Sequence, residues 1–350
     1  MSGGVTGGAV RIVVIGGGTS SEHTVSLASA AGIAGALDPA RFDVVSLTIR
    51  PDGSWAGPDG RDLSGDLAGA VAVLERADAA IAALHGPRGE DGTLAALFDL
   101  VGIPYVGSGV AAGALAMGKH ATKLLAASAG VTSAAGVLVR DATDPRLAEL
   151  TLPLVVKPDR AGSSHGVTVV REAPELTPAV EAALAYGDEV LVERFVHGRE
   201  IDVAVLEHPD GRLECLPPLE IVVPGGDIFD AHAKYDREPD FRIPAAVDAD
   251  TLAALQTAAI ATFRAVGARG LARVDFFATD DGLLLNEVNT FPGFTARSQV
   301  PRMAAAAGID YPALVELLVD TALARADTHR VRRRFGPSPA SVARNTPQHV

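Results

Sequence analysis

The sequence predicts an α/β unit built on a parallel sheet, then a small α+β unit, then a mixed C-terminal unit. Three observations carry this. Short apolar runs alternate with helix-like stretches from about residue 9 to 118. A glycine-rich turn, Ala161–Gly166, separates two short strands. Leu271–Phe277 and Leu283–Asn289 alternate apolar and polar residues around Asp280-Asp281-Gly282, which is the pattern of a hairpin.

The elements follow in order. Arg11–Ile15 is an apolar run that ends in Gly16-Gly17-Gly18, with a helix-like stretch from Glu22 to Leu37. Strands are expected at Asp43–Ile49 and Ala79–Leu84, and a helix at Thr93–Val101. These make a first domain at 9–118. Lys119–Ala129 reads as a helix, and Leu154–Lys157, Val167–Val170 and Val190–Phe195 read as strands, giving a central unit at 119–200. Residues 201–326 hold further strands, a long loop from Pro217 to Arg242, a helix at Leu252–Val266 and a closing helix at Pro312–Ala324. Beyond them, 327–350 is rich in arginine and has no apolar period, so it reads as a disordered basic extension.

Composition narrows the function. A chain of 350 residues suggests two or three domains. Its formal charge of −13 disfavours nucleic-acid binding, which depends on basic surface. Cys215 is the single cysteine, so no internal disulfide forms and a cytoplasmic location is expected. Met1–Ala9 lacks the charge and apolar blocks of a signal peptide. The uncharged run Leu100–Gly118 is broken by glycines and Pro104, which argues against a membrane span.

Several segments carry candidate chemistry. If Asp280-Asp281-Gly282 is the centre of the hairpin, Asp275 lies opposite Glu287 and Arg273 opposite Asn289. Facing carboxylates repel, so a cation belongs between them, and oxygen ligands suit Mg²⁺. The alternative is a solvated polar face on which Arg273 neutralises both acids. The Pro292-Gly293 turn that follows presents a backbone N–H to a substrate. In Asp159–Gly166, N–H groups and the hydroxyls of Ser163 and Ser164 suit phosphate, with Lys157 adding charge; a plain hairpin turn is the alternative.

Gly16-x-Gly18 starts like a dinucleotide fingerprint, but Ser21 stands at its third glycine position. Thr19 and Glu22 also fit a helix capping box. His85 lies in a loop after the third strand, where a functional residue and an ordinary surface histidine are both common. Lys234 and Tyr235 lie in the long loop, the kind of segment that forms lids. Glu193 and Glu200 flank the end of a strand and either hold adenine and ribose or are solvated.

Taken together, the motifs resemble those of the D-alanine–D-alanine ligase family of the ATP-grasp superfamily. They are Gly17-Gly18-Thr19-Ser20-Ser21-Glu22, Leu84-His85-Gly86 with Gly89-Glu90-Asp91-Gly92, and Val156-Lys157-Pro158 with Gly162-Ser163-Ser164. Ala233-Lys234-Tyr235, Arg273-Val274-Asp275 and Asn286-Glu287-Val288-Asn289-Thr290 with Pro292–Thr295 complete the set. The resemblance runs from Arg11 to Ala324 and implies an ATP-grasp fold. In that fold an N-terminal parallel-sheet domain precedes a small central ATP-lid domain and a C-terminal catalytic domain.

The resemblance also implies roles. Asp275, Glu287 and Asn289 hold two Mg²⁺ (or Mn²⁺), with Glu287 bridging. Lys119, Lys157 and Lys234 contact the phosphates of ATP, with Ser164 in the phosphate loop. Glu193 and the backbone near Val196 hold adenine, and Glu200 the ribose. Glu22 pairs with the ammonium of the first D-alanine, near His85. Ser163 and Tyr235 join Glu22 in closing the site. Arg273 and the Gly293 N–H stabilise an oxyanion, and Ser298 contacts the second carboxylate. A cytoplasmic homodimer that makes D-alanyl-D-alanine for peptidoglycan is implied, with no nucleic acid and no membrane as partner. The chain departs from the family pattern at Gly118, Ala161, Ala231-His232 and Gln299. The last two leave a second substrate such as D-serine, D-lactate or another amine as the alternative, although Tyr235 favours a dipeptide product.

Overall fold

The computed structural model describes residues 9–222 and 240–335, the last nine of these as backbone alone. Lys234, Tyr235 and Ala231-His232 therefore lie outside the described residues. Three sheets organise the chain.

The first sheet has the order β3-β2-β1-β4-β5, with β1 Val10–Gly17, β2 Phe42–Ile49, β3 Trp55–Ala56, β4 Ala79–Ala82 and β5 Tyr105–Val106. β1, β2, β4 and β5 run parallel, and β3 pairs antiparallel on the edge. Six of the eight residues of β1 are buried, as expected of a central strand covered on both faces. Helices α1 His23–Ala36, α2 Leu67–Leu74 and α3 Thr93–Val101 connect the strands. Gly17 at the end of β1 takes φ +92°, and a Cβ there would meet the Ile49 carbonyl oxygen at 2.1 Å. The glycine run is thus needed for the sharp exit of the chain from the sheet.

Helices α4 Val110–Met117 and α5 Lys119–Ser128 lead to the second sheet, β6-β9-β7-β8. Its strands are β6 Gly136–Val139, β7 Leu154–Pro158, β8 Thr168–Val170 and β9 Val190–Arg194, all antiparallel, with α6 Leu176–Leu184 packed on one face. The third sheet has the order β13-β12-β10-β14-β15, with β11 also on β10. Its ranges are β10 Arg199–Glu207, β11 Leu213–Cys215, β12 Leu219–Val222, β13 Asp240–Arg242, β14 Leu271–Thr279 and β15 Gly282–Asn289. α7 Ala249–Val266 covers it through Leu255, Ala259, Phe263 and Val266. α8 Gln299–Ala306 and α9 Tyr311–Phe335 follow.

Three expectations differ from the structure. The segment Pro217–Arg242 is not one loop, because both of its ends are strands of the third sheet, β12 and β13. α5 does not belong with the second sheet: it packs on α7 and β15, and Ala126 and Leu125 join the core of the third sheet. The backbone after 326 is still helical as far as Phe335. Arginine is a good helix former, and a helix already nucleated by the buried Leu314–Ala322 face extends at small cost. α9 packs on α1, β4 and β5, so this helix closes the core of the first sheet.

Phe276 is fully buried in the core shared by the third sheet and α7. Phe276→Ala is expected to cost about 3–5 kcal/mol of stability, read as a lower midpoint in urea unfolding.

Candidate active site

One cleft of about 660 Å³ opens where the second and third sheets meet the loops of the first. Its floor is the β14–β15 hairpin. Asp275 pairs with Glu287 and Arg273 with Asn289, as the sequence predicts, but the route to that register is different. The turn has two residues, since Thr279 pairs with Gly282, and this alone would set Asp275 against Asn286. A bulge at Asn286 inserts one residue and restores the pairing. It also leaves Asn286 and Glu287 both facing the cleft, and Asn286 Oδ1 accepts a hydrogen bond from Lys157 Nζ at 3.2 Å.

Arg273 grips Asp275 with two parallel bonds of 2.8 Å, from Nε to Oδ1 and from Nη2 to Oδ2. Its Nη1 donates to Gln299 Oε1, whose Nε2 donates to Asp202 Oδ2 at 2.9 Å. Asp202 faces Asp275 across the β10–β14 pair and is 0% exposed. Burial, and then the neighbouring Asp275, push its carboxyl well above the usual range. Burial acts against the Arg273 charge, but Asp275 and Asp202 outweigh it and raise its pKa. Asn289 Oδ1 accepts from the Phe291 N–H at 3.1 Å. Asp275, Glu287 and Asn289 thus line one face of the cleft as two carboxylates and an amide.

Lysines gather at the other end. Lys119 Nζ stands 3.5 Å from Glu287 Oε2 and donates to the Ala161 carbonyl at 2.6 Å. Lys157 Nζ lies 2.5 Å from Glu193 Oε1, and Lys123 donates to the other oxygen of the same carboxylate. All three lysines and Glu193 are buried. Burial raises the Glu193 pKa, but the two ammonium groups more than offset it and hold the carboxylate ionised. With one carboxylate between two lysines, burial and the Lys157 charge pull Lys123 down to about 8.

The turn Asp159–Gly166 closes over the cleft. Its base is anchored: Asp159 Oδ1 accepts from the His120 N–H at 2.8 Å, and the Lys119 N–H donates to the Asp159 carbonyl. Ser163 and Ser164 both sit at positive φ, 52° and 56°, a conformation that is costly outside glycine and that turns consecutive N–H groups to one side. Ser163 Oγ donates to Glu22 Oε1 at 2.5 Å, and Ser21 Oγ lies 3.3 Å from His165 Nε2. The capping-box alternative for Glu22 is not realised: Glu22 is the N-cap of α1, but its side chain makes no cap bond. Its carboxylate reaches across to the turn instead.

His85 is buried, not a surface loop residue. Ser29 of α1 lies 3.1 Å from its Nε2, and the Phe291 carbonyl 3.2 Å from its Nδ1. Ser29 also accepts from the Phe294 N–H, so this histidine ties the first sheet to the turn after β15. Burial lowers its basicity, but Glu90, 3.6 Å from Nδ1, together with Glu22 and the Phe291 carbonyl, raises it by more. Ser164, Val196, Glu200, Gly293 and Ser298 all line the cleft. Ser298 is the N-cap of α8, and its Oγ accepts from the Thr295 N–H at 3.0 Å.

Sequence reasoning missed Asp202, Lys123, Asn286 and the role of Gln299. Lys123 follows Lys119 by one helical turn, and that spacing was a usable signal. Asp202 shares a strand face with Glu200, but its burial depends on β14, which lies some seventy residues away in the chain. Asn286 is displayed by a bulge that nothing local announces.

The chain matches the family model described as "D-ala D-ala ligase N-terminus" over residues 11–108 and the one described as "D-ala D-ala ligase C-terminus" over residues 129–320. It is 43% identical to a protein of Mycolicibacterium smegmatis named D-alanine--D-alanine ligase, over 91% of this chain and 96% of that protein. The protein of that name from Mycobacterium bovis is 42% identical, over 90% and 96%. Solved structures agree. The Coxiella burnetii D-alanine-D-alanine ligase superposes with a TM-score of 0.81 at 30% identity, over 93% of this chain and 97% of that one. The VanG D-Ala:D-Ser ligase of Enterococcus faecalis gives 0.79 at 32%, over 90% and 100%. The Bacillus anthracis enzyme complexed with ATP gives 0.76 at 28%, over 94% and 100%. With both halves matched by the family models and its three-sheet architecture shared with the solved ligases, the chain belongs to the D-alanine–D-alanine ligase family and has the ATP-grasp fold.

Proposed function

We propose that this enzyme joins two D-alanines into D-alanyl-D-alanine at the expense of ATP, for peptidoglycan precursor synthesis. The observation that carries the reading is the hairpin floor, where Asp275 faces Glu287 with Arg273 on the same face, inside a cleft that also holds Lys119 and Lys157. Family membership supports the substrate.

The residues divide the work. Lys119 and Lys157 neutralise the phosphates as the carboxylate oxygen of the first D-alanine attacks the γ-phosphorus and ADP leaves. The product is an acyl phosphate. Glu22 holds the ammonium of that substrate, and the Ser163 hydroxyl keeps the turn shut on it. Water must stay out, because an exposed acyl phosphate hydrolyses. The amine of the second D-alanine then attacks the acyl carbon. Arg273 and the Gly293 N–H stabilise the oxyanion, and collapse expels phosphate. Ser298 orients the second carboxylate. Glu193, Val196 and Glu200 hold adenine and ribose, with Ser164 in the phosphate turn. Lys234 and Tyr235 complete the lid in this proposal, from the family motif alone.

The donor set of Asp275, Glu287 and Asn289 fits Mg²⁺, which takes oxygen ligands and keeps positions for phosphate and water. When bound, it would draw charge from the transferring phosphoryl group. Arg273 now occupies both Asp275 oxygens, and Lys119 stands beside Glu287, so these cations balance the acids that would hold the metal. The first sheet, the second sheet and the third sheet with α5 serve as substrate, lid and catalytic units. A cytoplasmic homodimer completes the proposal. Among the described residues, no helix is long and apolar enough to cross a membrane.

A second reading keeps the chemistry and changes the acceptor. Gln299 places an amide in the cleft beside Ser298, and a polar side chain there suits a hydroxylated or otherwise polar second substrate such as D-serine. The likeness to the VanG D-Ala:D-Ser ligase points the same way.

Phosphate release with ATP, Mg²⁺ and a panel of D-amino and D-hydroxy acids, with products identified by mass, decides between these. D-Alanine alone is expected to stimulate release and to yield the dipeptide; release with another acceptor only would replace the substrate assignment. Arg273→Ala is expected to lose about 2.7–4 kcal/mol of transition-state stabilisation, measured as a fall in kcat; near-normal turnover would remove Arg273 from the mechanism. Lys123→Met leaves buried Glu193 with one counter-charge and is expected to lower the urea-unfolding midpoint while raising KM for ATP.

A further inference from the structure

One side chain joins the start of α8 to the cleft floor. Gln299, the first residue of α8, accepts from Arg273 Nη1 and donates from Nε2 to Asp202 Oδ2 at 2.9 Å. Asp202 is completely buried, and its Oδ2 lies 3.4 Å from Arg273 Nε. Its Oδ1 has no hydrogen-bond partner among the described residues. A buried carboxyl so incompletely satisfied is a standing cost to the fold. An apolar residue of similar size would usually be tolerated as well or better at such a position. The carboxyl therefore calls for a function.

The chemistry of the three groups supplies one. A guanidinium only donates, so the amide of Gln299 must turn its oxygen to Arg273. The amide nitrogen then needs an acceptor, and Asp202 provides it. The orientation of the amide is fixed from both sides, and with it the direction of Nη1. Ser298 is the adjacent residue, at the N-cap position of the same helix, with its Oγ held by the Thr295 N–H. The guanidinium and the end of α8 are thus locked at one separation.

We infer that Asp202 and Gln299 are positioning residues that hold the Arg273 guanidinium in register with the second-substrate site at the N-terminus of α8. The inference rests on the ligase reading above. Its consequence is a coupling: when the register is lost, the acyl phosphate still forms but the amine meets it poorly aligned, and water competes.

The test uses the purified full chain with ATP, Mg²⁺ and the amino acids that wild type consumes, measuring phosphate release and dipeptide side by side. Gln299→Met, of similar volume, is expected to lower dipeptide kcat by about 10- to 100-fold, the scale of a misplaced catalytic group. KM for ATP should be unchanged, and more phosphate should be released than dipeptide formed. In an Arg273→Lys background the same substitution should add little, because residues acting through one another are not additive. Asp202→Asn combined with Gln299→Glu reverses donor and acceptor, and should recover most of the turnover lost in Gln299→Glu alone. If Gln299→Met fails to fold, as judged by its melting curve, this exchange carries the test. Wild-type turnover in Gln299→Met, full additivity with Arg273→Lys, or an exchange no better than Gln299→Glu alone would each overturn the inference. Wild type that turns over ATP on a different pair of acids would change only the substrate assignment. Wild type inert towards every acid would remove both readings.

Discussion

Three carboxyl groups and one guanidinium meet at the bottom of the cleft, and most of the molecule is arranged around the cost of putting them there. Asp202 and Asp275 sit on adjacent strands and are nearly inaccessible, with Glu287 opposite on the next strand. Like charges facing one another on a sheet destabilise it, and burial magnifies the penalty. Arg273 relieves this by binding Asp275 at both oxygens and approaching Asp202. The apolar face of the same strands provides the stability that tolerates such a site. Val274, Phe276 and Val288 point into the α7 core, so each polar residue on the hairpin is backed by a buried neighbour. The strand period of two does both jobs at once.

The lysine end repeats the arrangement with the signs reversed. Glu193 binds two ammonium groups in a buried pocket, and Lys157 is shared with Asn286 of the bulge. The second and third sheets are thereby linked through charged groups that a nucleotide would also engage. Above them the turn Asp159–Gly166 carries two strained serines and is tied down through Glu22 and Ser21, which lie between β1 of the first sheet and α1. All three sheets thus contribute side chains to one space. That is a reason for the site to respond as a unit when any one sheet shifts.

Much of the architecture was legible in the chain. The parallel order of the first unit follows from strand and helix alternation, and α3 starts and ends where its pattern does, Thr93 to Val101. The hairpin pairing was also legible, but partly by cancellation: a turn one residue shorter than expected and a one-residue bulge leave Asp275 facing Glu287 all the same. The boundaries that failed share a cause. β12 and β13 are strands of four and three residues, too short to show a period of their own, and α5 is amphipathic without any local indication of which sheet it covers. The helix through Phe335 shows a similar limit, because arginine-rich sequence is compatible with helix once a buried stretch has nucleated it.

By itself the sequence determined the chemical repertoire: which acids, lysines and glycines were available, at what spacing, and on which face of a strand each would fall. Local geometry is enough for that, since side-chain direction follows from a period of two or 3.6. The tertiary structure decided which of these groups meet. It buried His85 against Ser29 and the Phe291 carbonyl and drew Glu22 to Ser163 instead of to its own helix cap. It also sealed Asp202 under Arg273 and Gln299. These contacts span 56 to 206 residues of chain for His85, 141 for Glu22 and 97 for Asp202 with Gln299. Their energies come from desolvation and from charge at a few ångströms, and both exist only once the sheets have packed.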